Sequence, residues 1–258
     1  GTAGSGAGAD GAIGSSEAVI KLTDAMPTWS FMIPPDPVDE NEIGETIEND
    51  IIVVGGGMSG FTTAVSAAEQ GVKVTLFSAS SAPISRGGSN YARNSKVMKE
   101  LGIEPFDPVP FYYHEMRAAS FAIDQRKWMR GYNNSEEAMD WMIDIARESG
   151  LEVIMERDNT FDLGPNYAHA FSTLGDSSMV STGQQGAVEA LEAKAKEYGV
   201  QIVYDTKAEY LEREGDKTGR VTGVVASKMD GSGYVRFKAN QAVVLATGDF
   251  SSNKEMLA

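Results

Sequence analysis

The 258-residue sequence contains no cysteine, which excludes thiolate catalysis, a disulfide framework and any cysteine-ligated metal or iron–sulfur centre. Histidine is nearly as scarce, with only His114 and His169. A Ser-His-Asp triad or a histidine-ligated metal would have to use one of them, and neither sits in a motif for such chemistry. Both are therefore expected at the surface or in packing roles. No apolar run approaches the roughly 18 residues that a membrane-spanning helix needs. Positive charge is also in short supply, with 22 Lys and Arg against 37 Asp and Glu, for a net charge of −15. The summed field repels nucleic acid and anionic membranes, so neither is expected as the main partner. A local anion site built from backbone amides stays open.

Against these absences stands one informative stretch, residues 50–60, where the β-branched run Ile51, Ile52, Val53, Val54 passes directly into Gly55-x-Gly57-x-x-Gly60. With 28 glycines in the chain, that spacing arises by chance roughly 0.3 times, so its context carries the argument. Four β-branched residues without alternation suit a parallel strand covered on both faces. After Gly60, the residues Phe61, Ala64, Val65, Ala67 and Ala68 form a helical stripe, Gly71 sits where a C-terminal cap belongs, and residues 72–77 read as a second strand. A strand, turn, helix and strand of this kind cradles a nucleotide diphosphate. Gly55 permits the tight turn, Gly57 lets the backbone approach the phosphates, and Gly60 lets the helix pack on the strand. The amides at the helix start then face the diphosphate.

Residues 1–16 are Gly, Ala and Ser with almost no apolar bulk and are expected to form a flexible leader. The chain does not begin with Met; a removed export signal and an end left by recombinant expression account for this equally. An extracytoplasmic location is expected, with the cytoplasm as the alternative. Residues 17–49, with Trp29, Phe31 and a Pro-rich run, should be an extended arm. Residues 78–98 form a long polar loop of the kind that carries function. Residues 108–130 suit one or two helices ending near Gly131, and Asn134 with Glu137 reads as the cap of a further helix closed at Gly150. Residues 151–156 read as a strand and residues 157–186 as mostly loop. A helix is expected from Ala187 to Tyr198 and a strand from Val200 to Tyr204. Three short strands over residues 208–239 make a β-meander, and a buried strand at residues 241–246 runs into Thr247-Gly248-Asp249.

The motifs VVGGGMSG at 53–60, RGGSN at 86–90, NSEEAMDWM at 134–142, the helix and strand of 185–204, and VVLATGDFSSN at 243–253 together resemble the N-terminal half of flavoprotein subunits of the fumarate reductase and succinate dehydrogenase superfamily. The resemblance is greatest to soluble bacterial fumarate and urocanate reductases and 3-ketosteroid dehydrogenases. It implies an α/β fold: an FAD-binding, Rossmann-like three-layer domain over residues 50–258 with a β-meander, lacking the family's capping domain and C-terminal segment. It also implies FAD. Gly55, Gly57, Met58, Ser59 and Gly60 would hold the diphosphate, and Arg86, Gly87, Gly88, Ser89 and Asn90 would approach the diphosphate and isoalloxazine. Ala208 would lie by the adenine, while Ala246, Thr247, Gly248 and Asp249 would cover the other side.

One position departs from the pattern. Ser78 stands where the family usually carries an acid that accepts both ribose hydroxyls, and a serine offers only one or two uncharged hydrogen bonds there. By the same resemblance, Arg86 is either a flavin or phosphate ligand or a solvated loop charge; Tyr91 is expected to pack within its loop, with a place near the flavin ring as the alternative. The activity implied is hydride transfer at flavin N5 to an activated, unsaturated substrate, or the reverse dehydrogenation. The catalytic residues would lie outside this chain, which would then not turn over alone. A second polypeptide or a missing C-terminal half would complete the enzyme. A non-catalytic flavin-carrying subunit and an NAD-dependent dehydrogenase are the alternatives.

Overall fold

The computed structural model describes residues 29–85, 90–155, 168–173, 180–215 and 218–257, with only the backbone described at 172–173 and 180–183. Strand β1, Ile43–Val54, is the spine of the larger of two units, Val38–Gly248. Its last four residues pair in parallel with β2, Val74–Phe77, and along its whole length it pairs in parallel with β9, Tyr234–Leu245. Strand β6, Gln201–Val203, extends the parallel edge beyond β2. Strands β7, Thr206–Arg213, and β8, Val221–Lys228, continue antiparallel from β9 as the expected meander, for a sheet order β6-β2-β1-β9-β8-β7.

Alternation along β1 sends its side chains to two different covers. Val53, with Leu76 of β2, packs under helix α1, Met58–Glu69, through Phe61, Ala64 and Val65. Ile52 and Val54 face the opposite way and meet Phe77, Val224, Val235 and Phe237, a core of strand residues in which the Phe77 and Phe237 rings stack at 4.1 Å. Both faces are covered, as the unbroken β-branched run anticipated. The layers are helices, parallel sheet and meander. Helix α2, Lys96–Glu100, and helix α3, Pro108–Ala118, follow β2. They lead to α4, Gln125–Glu148, which joins the helical layer through Met142, Ile143 and Ala146. Helix α5, Val180–Glu197, adds Val188 and Leu191 to the same core. A second sheet, ordered β3-β5-β4, is formed by Asn90–Tyr91, Ala168–Thr173 and Leu151–Met155, all antiparallel.

Several elements differ from the sequence expectation. The first strand starts at Ile43, because residues 43–49 find a partner in the lower half of β9. Helix α4 starts at Gln125, well before Asn134. Asp124 caps it by accepting from the Arg126 and Lys127 amides, and Asn134 lies inside it, its Nδ2 donating to the Arg130 carbonyl. Gly131 does not end a segment there. Trp128 and Tyr132 on either side of it stack on each other at 5.6 Å and pack with Phe106 and Phe111, and this burial outweighs the propensity cost of about 1 kcal/mol for a helical glycine. Within the stretch read as loop, β5 forms because it finds partners on both edges, β4 just before it in the chain and β3 much further back. The last described residues, 251–257, form turns.

The smaller unit combines residues 29–37 and 249–257. In it, the Ser30 amide and hydroxyl donate to the Glu255 carboxylate, which holds that carboxyl below its ordinary pKa. The rings of Trp29 and Phe31 stack beside them at 6.2 Å.

Candidate functional site

The loops after β1, β2, β6 and β9 meet at the carboxyl edge of the parallel sheet, where ligands bind in folds of this kind. The Gly55 amide donates to Phe77 O, the Ala246 amide to Val54 O, the Ile84 amide to Gly56 O and the Thr206 amide to Ser78 O. Backbone bonds alone thus tie four separate segments into one rim.

The glycines of this rim divide by what surrounds them. A Cβ on Gly60 would lie 1.9 Å from Gly55 O, and one on Gly55 would lie 2.3 Å from Ala246 O, with Gly55 also at φ +119°. Both are required by the protein's own packing and turn geometry. A Cβ on Gly56 would fall 2.9 Å from the Ser78 Cβ, so this unremarked middle glycine is needed as well. Gly57 is different. Its φ is −97°, and an added Cβ would meet only Ile84 O, at 3.6 Å. Its missing side chain therefore leaves space rather than avoiding a clash, at the N-cap of a helix with no side-chain cap. Met58 and Ser59 follow as the first residues of α1, where backbone amides have no intrahelical acceptor.

Ser78 is 7% exposed and shares a 2.8 Å hydrogen bond with the Ser80 hydroxyl. Tyr204 packs beside Gly56 and donates to Glu192 at 2.8 Å. Burial and then that carboxylate push the Tyr204 phenol well above its ordinary pKa, so it stays a neutral donor. Ala246, Thr247 and Gly248 form the turn leaving β9, with Gly248 at φ +80°. Asp249 belongs to the smaller unit and accepts from the Ser251 amide. Ala208 sits on β7 opposite Ala226, against the strand-lined core. Arg86, Gly87, Gly88 and Ser89 lie outside the described residues.

Asn90, next in the chain, begins β3 and borders a cleft of 420 Å³ with Met58 and Thr62 of α1, Trp141 of α4, Tyr91 and Phe171. Tyr91, expected to pack within its loop, meets Phe111 edge-on at 5.5 Å and is 39% exposed. His169, expected to have a packing or surface role, is wholly buried and hydrogen-bonded through both ring nitrogens, to Ser95 Oγ at 2.6 Å and to Asn90 O at 3.1 Å. Neither His169 nor Ser95 is accessible to a substrate, so the pair is not a nucleophile and its base. No local sequence signal marks either residue. Among the described residues no group of three or more His, Asp and Glu side chains could hold a metal ion, and no helix is long and apolar enough to cross a membrane.

A parallel sheet with a glycine turn, an uncapped helix start and room at Gly57, the glycine of that turn that packing does not require, defines a dinucleotide-binding α/β protein. The comparisons narrow this class. Residues 50–258 match the FAD binding domain family, and the chain belongs to it: it is the FAD-binding domain of flavin-dependent oxidoreductases such as fumarate reductase. The cofactor of this family is FAD, which displaces the nicotinamide alternative. The chain is 26% identical over 213 residues to a vinyl phenol reductase of Lactiplantibacillus plantarum, covering 81% of this chain and 39% of that protein. It is 25% identical over 221 residues to a fumarate reductase (cytochrome) of Shewanella frigidimarina, covering 81% of this chain and 34% of that protein. Among solved structures, a 3-ketosteroid-Δ4-(5α)-dehydrogenase from Rhodococcus jostii RHA1 superposes with a TM-score of 0.65 at 25% identity, covering 86% of this chain and 50% of that one. The chain thus spans between a third and two fifths of the length of these curated relatives.

Proposed function

We propose that this chain is the cofactor-holding part of an oxidoreductase that reduces an activated carbon–carbon double bond, or runs the reverse dehydrogenation. The observation that carries this reading is the contrast among the glycines of the turn at 55–60, since of Gly55, Gly56, Gly57 and Gly60 only Gly57 is spared by packing, and it opens onto the helix start. The names of the relatives, two reductases and a steroid dehydrogenase, supply the reaction class. When bound, FAD supplies hydride exchange at its N5 with a substrate carbon. The residues of this chain bind and orient it: the amides of Gly57, Met58, Ser59 and Gly60 face the diphosphate, and the turn of Ala246 to Gly248 closes the opposite rim. Ser78 offers the ribose a hydroxyl in place of a carboxylate, and that hydroxyl already engages Ser80.

Substrate-binding groups and the proton donor are assigned to residues outside this chain, on a second polypeptide or on further length of the same one. The share of the relatives that the chain spans supports this assignment. The test is titration of the purified chain with FAD, followed by flavin fluorescence and the absorption band near about 450 nm. Stoichiometric binding without turnover of unsaturated carboxylates or enones by the chain alone is expected. Failure to bind FAD, or turnover by the isolated chain, would overturn the reading.

A further inference from the structure

We propose that His169 is a positioning residue for the flavin, acting through Asn90. The inference rests on the FAD reading above.

Asn90 is the first residue of a strand only two residues long, whose ladder consists of Asn90↔His169 and Tyr91↔Ala168. So short a strand is a weak support, and a side-chain bond reinforces it. Asn90 O can only accept, so His169 Nδ1, 3.1 Å away, carries the proton. In the neutral ring, Nε2 then accepts from the Ser95 hydroxyl at 2.6 Å. Ser95 Oγ in turn accepts the Met98 amide at 3.2 Å, as the N-cap of α2. Donors therefore run one way, from Met98 to Ser95 to His169 to Asn90, with His169 and Ser95 fully buried. A buried chain of this kind, satisfied at every link, holds its members rigidly.

The residue it holds is left with an unmet need. Asn90 Nδ2 is shut off from solvent and has no hydrogen-bond partner among the described residues. Asn90 also borders the same cleft as Met58, the first residue of the cofactor-facing helix. A buried donor of this kind calls for an acceptor, and FAD presents them along its diphosphate and its flavin carbonyls. The network thus fixes the Asn90 backbone at the edge of that cleft, and His169 sets the place of the Asn90 side chain without itself touching the cofactor.

The test uses the full chain titrated with FAD, read by flavin fluorescence and by the position of the flavin band, with thermal melting recorded in parallel. Binding of FAD by the wild-type chain comes first, and its absence would sink the FAD reading rather than this inference. Given binding, Asn90→Ala and His169→Phe should each raise Kd about tenfold, the equivalent of one lost hydrogen bond. His169→Asn, which keeps a donor at the Nδ1 position, should recover most of the loss. In an Asn90→Ala background, His169→Phe should add less than about twofold, because the two act on one contact. Should His169→Phe fail to fold, His169→Gln replaces it, retaining a group near Ser95 but none near Asn90 O, with the same expected rise and the same loss of effect in Asn90→Ala. A variant that melts earlier yet binds FAD with unchanged affinity and spectrum would overturn the proposal. So would a His169 effect that persists undiminished without the Asn90 side chain.

Discussion

At the Gly55 to Gly60 corner of the cleft, nearly every constraint is a backbone atom: Ala246 O against Gly55, Gly55 O against Gly60, and the amides of a helix start around Gly57. At the Asn90 corner the constraint is a chain of side chains, in which His169 reaches back 79 residues to Asn90 and 74 to Ser95. The first corner is made within six residues plus one neighbouring strand. The second exists only once β3, β5 and α2 have met. The two corners should therefore fail differently when altered.

The sharpest contrast lies inside the first corner. Gly60→Ala puts a methyl against a backbone carbonyl that cannot step aside, so a loss of about 3 kcal/mol is expected in urea unfolding, with FAD binding lost alongside. Gly57→Ala should cost less than about 1 kcal/mol in the same measurement, since the site is open, yet raise Kd for FAD tenfold or more by occupying the space the diphosphate needs. Equal destabilisation by the two substitutions would erase the distinction between packing glycines and the approach glycine. A smaller effect is expected at Ser78→Ala. Losing the Ser80 bond should cost about 1 kcal/mol in unfolding while FAD affinity changes less than about threefold. A much larger binding loss would show that the ribose depends on this hydroxyl.

The smallest effect belongs to the second corner and depends on pH. Glu136 bonds to Lys99 and Asn94, and those bonds, in that order, hold its carboxyl below the ordinary range. A depressed folded-state pKa contributes stability that is complete above the unfolded value and is lost as pH falls through the folded one. Unfolding midpoints measured from about pH 6 down to pH 3 should therefore fall less steeply for Glu136→Gln than for wild type. Parallel curves would show that this exposed cluster contributes nothing to holding residues 93–99 on α4.

Legibility in the sequence followed the same division. The β1 run, the glycine turn, the α1 stripe and Gly71 at φ +81° could be read directly, because period and turn chemistry are properties of neighbours in sequence. The meander was legible for the same reason, but its third strand and the buried strand expected at 241–246 are one continuous β9, whose pairing with β1 no local pattern indicates. Asn134 misled as a helix start because its capping pattern is local while the decision was not: Asp124 supplied a better cap, and aromatic packing at Trp128 and Tyr132 carried the helix through Gly131. β5 was hidden because one of its two pairing partners, β3, lies on a distant segment. His169 gave no signal, since a histidine alone does not indicate whether a carbonyl and a hydroxyl will close around it.

By itself, the amino-acid order determined a strand, turn and helix able to receive a diphosphate, because those amides and glycines are contiguous and their geometry follows from local dihedral preference. Only the tertiary structure decided which glycine of the turn stays open, which serine is already engaged and which groups close around His169. Those outcomes depend on atoms brought together from separate segments, whose distances no local pattern encodes.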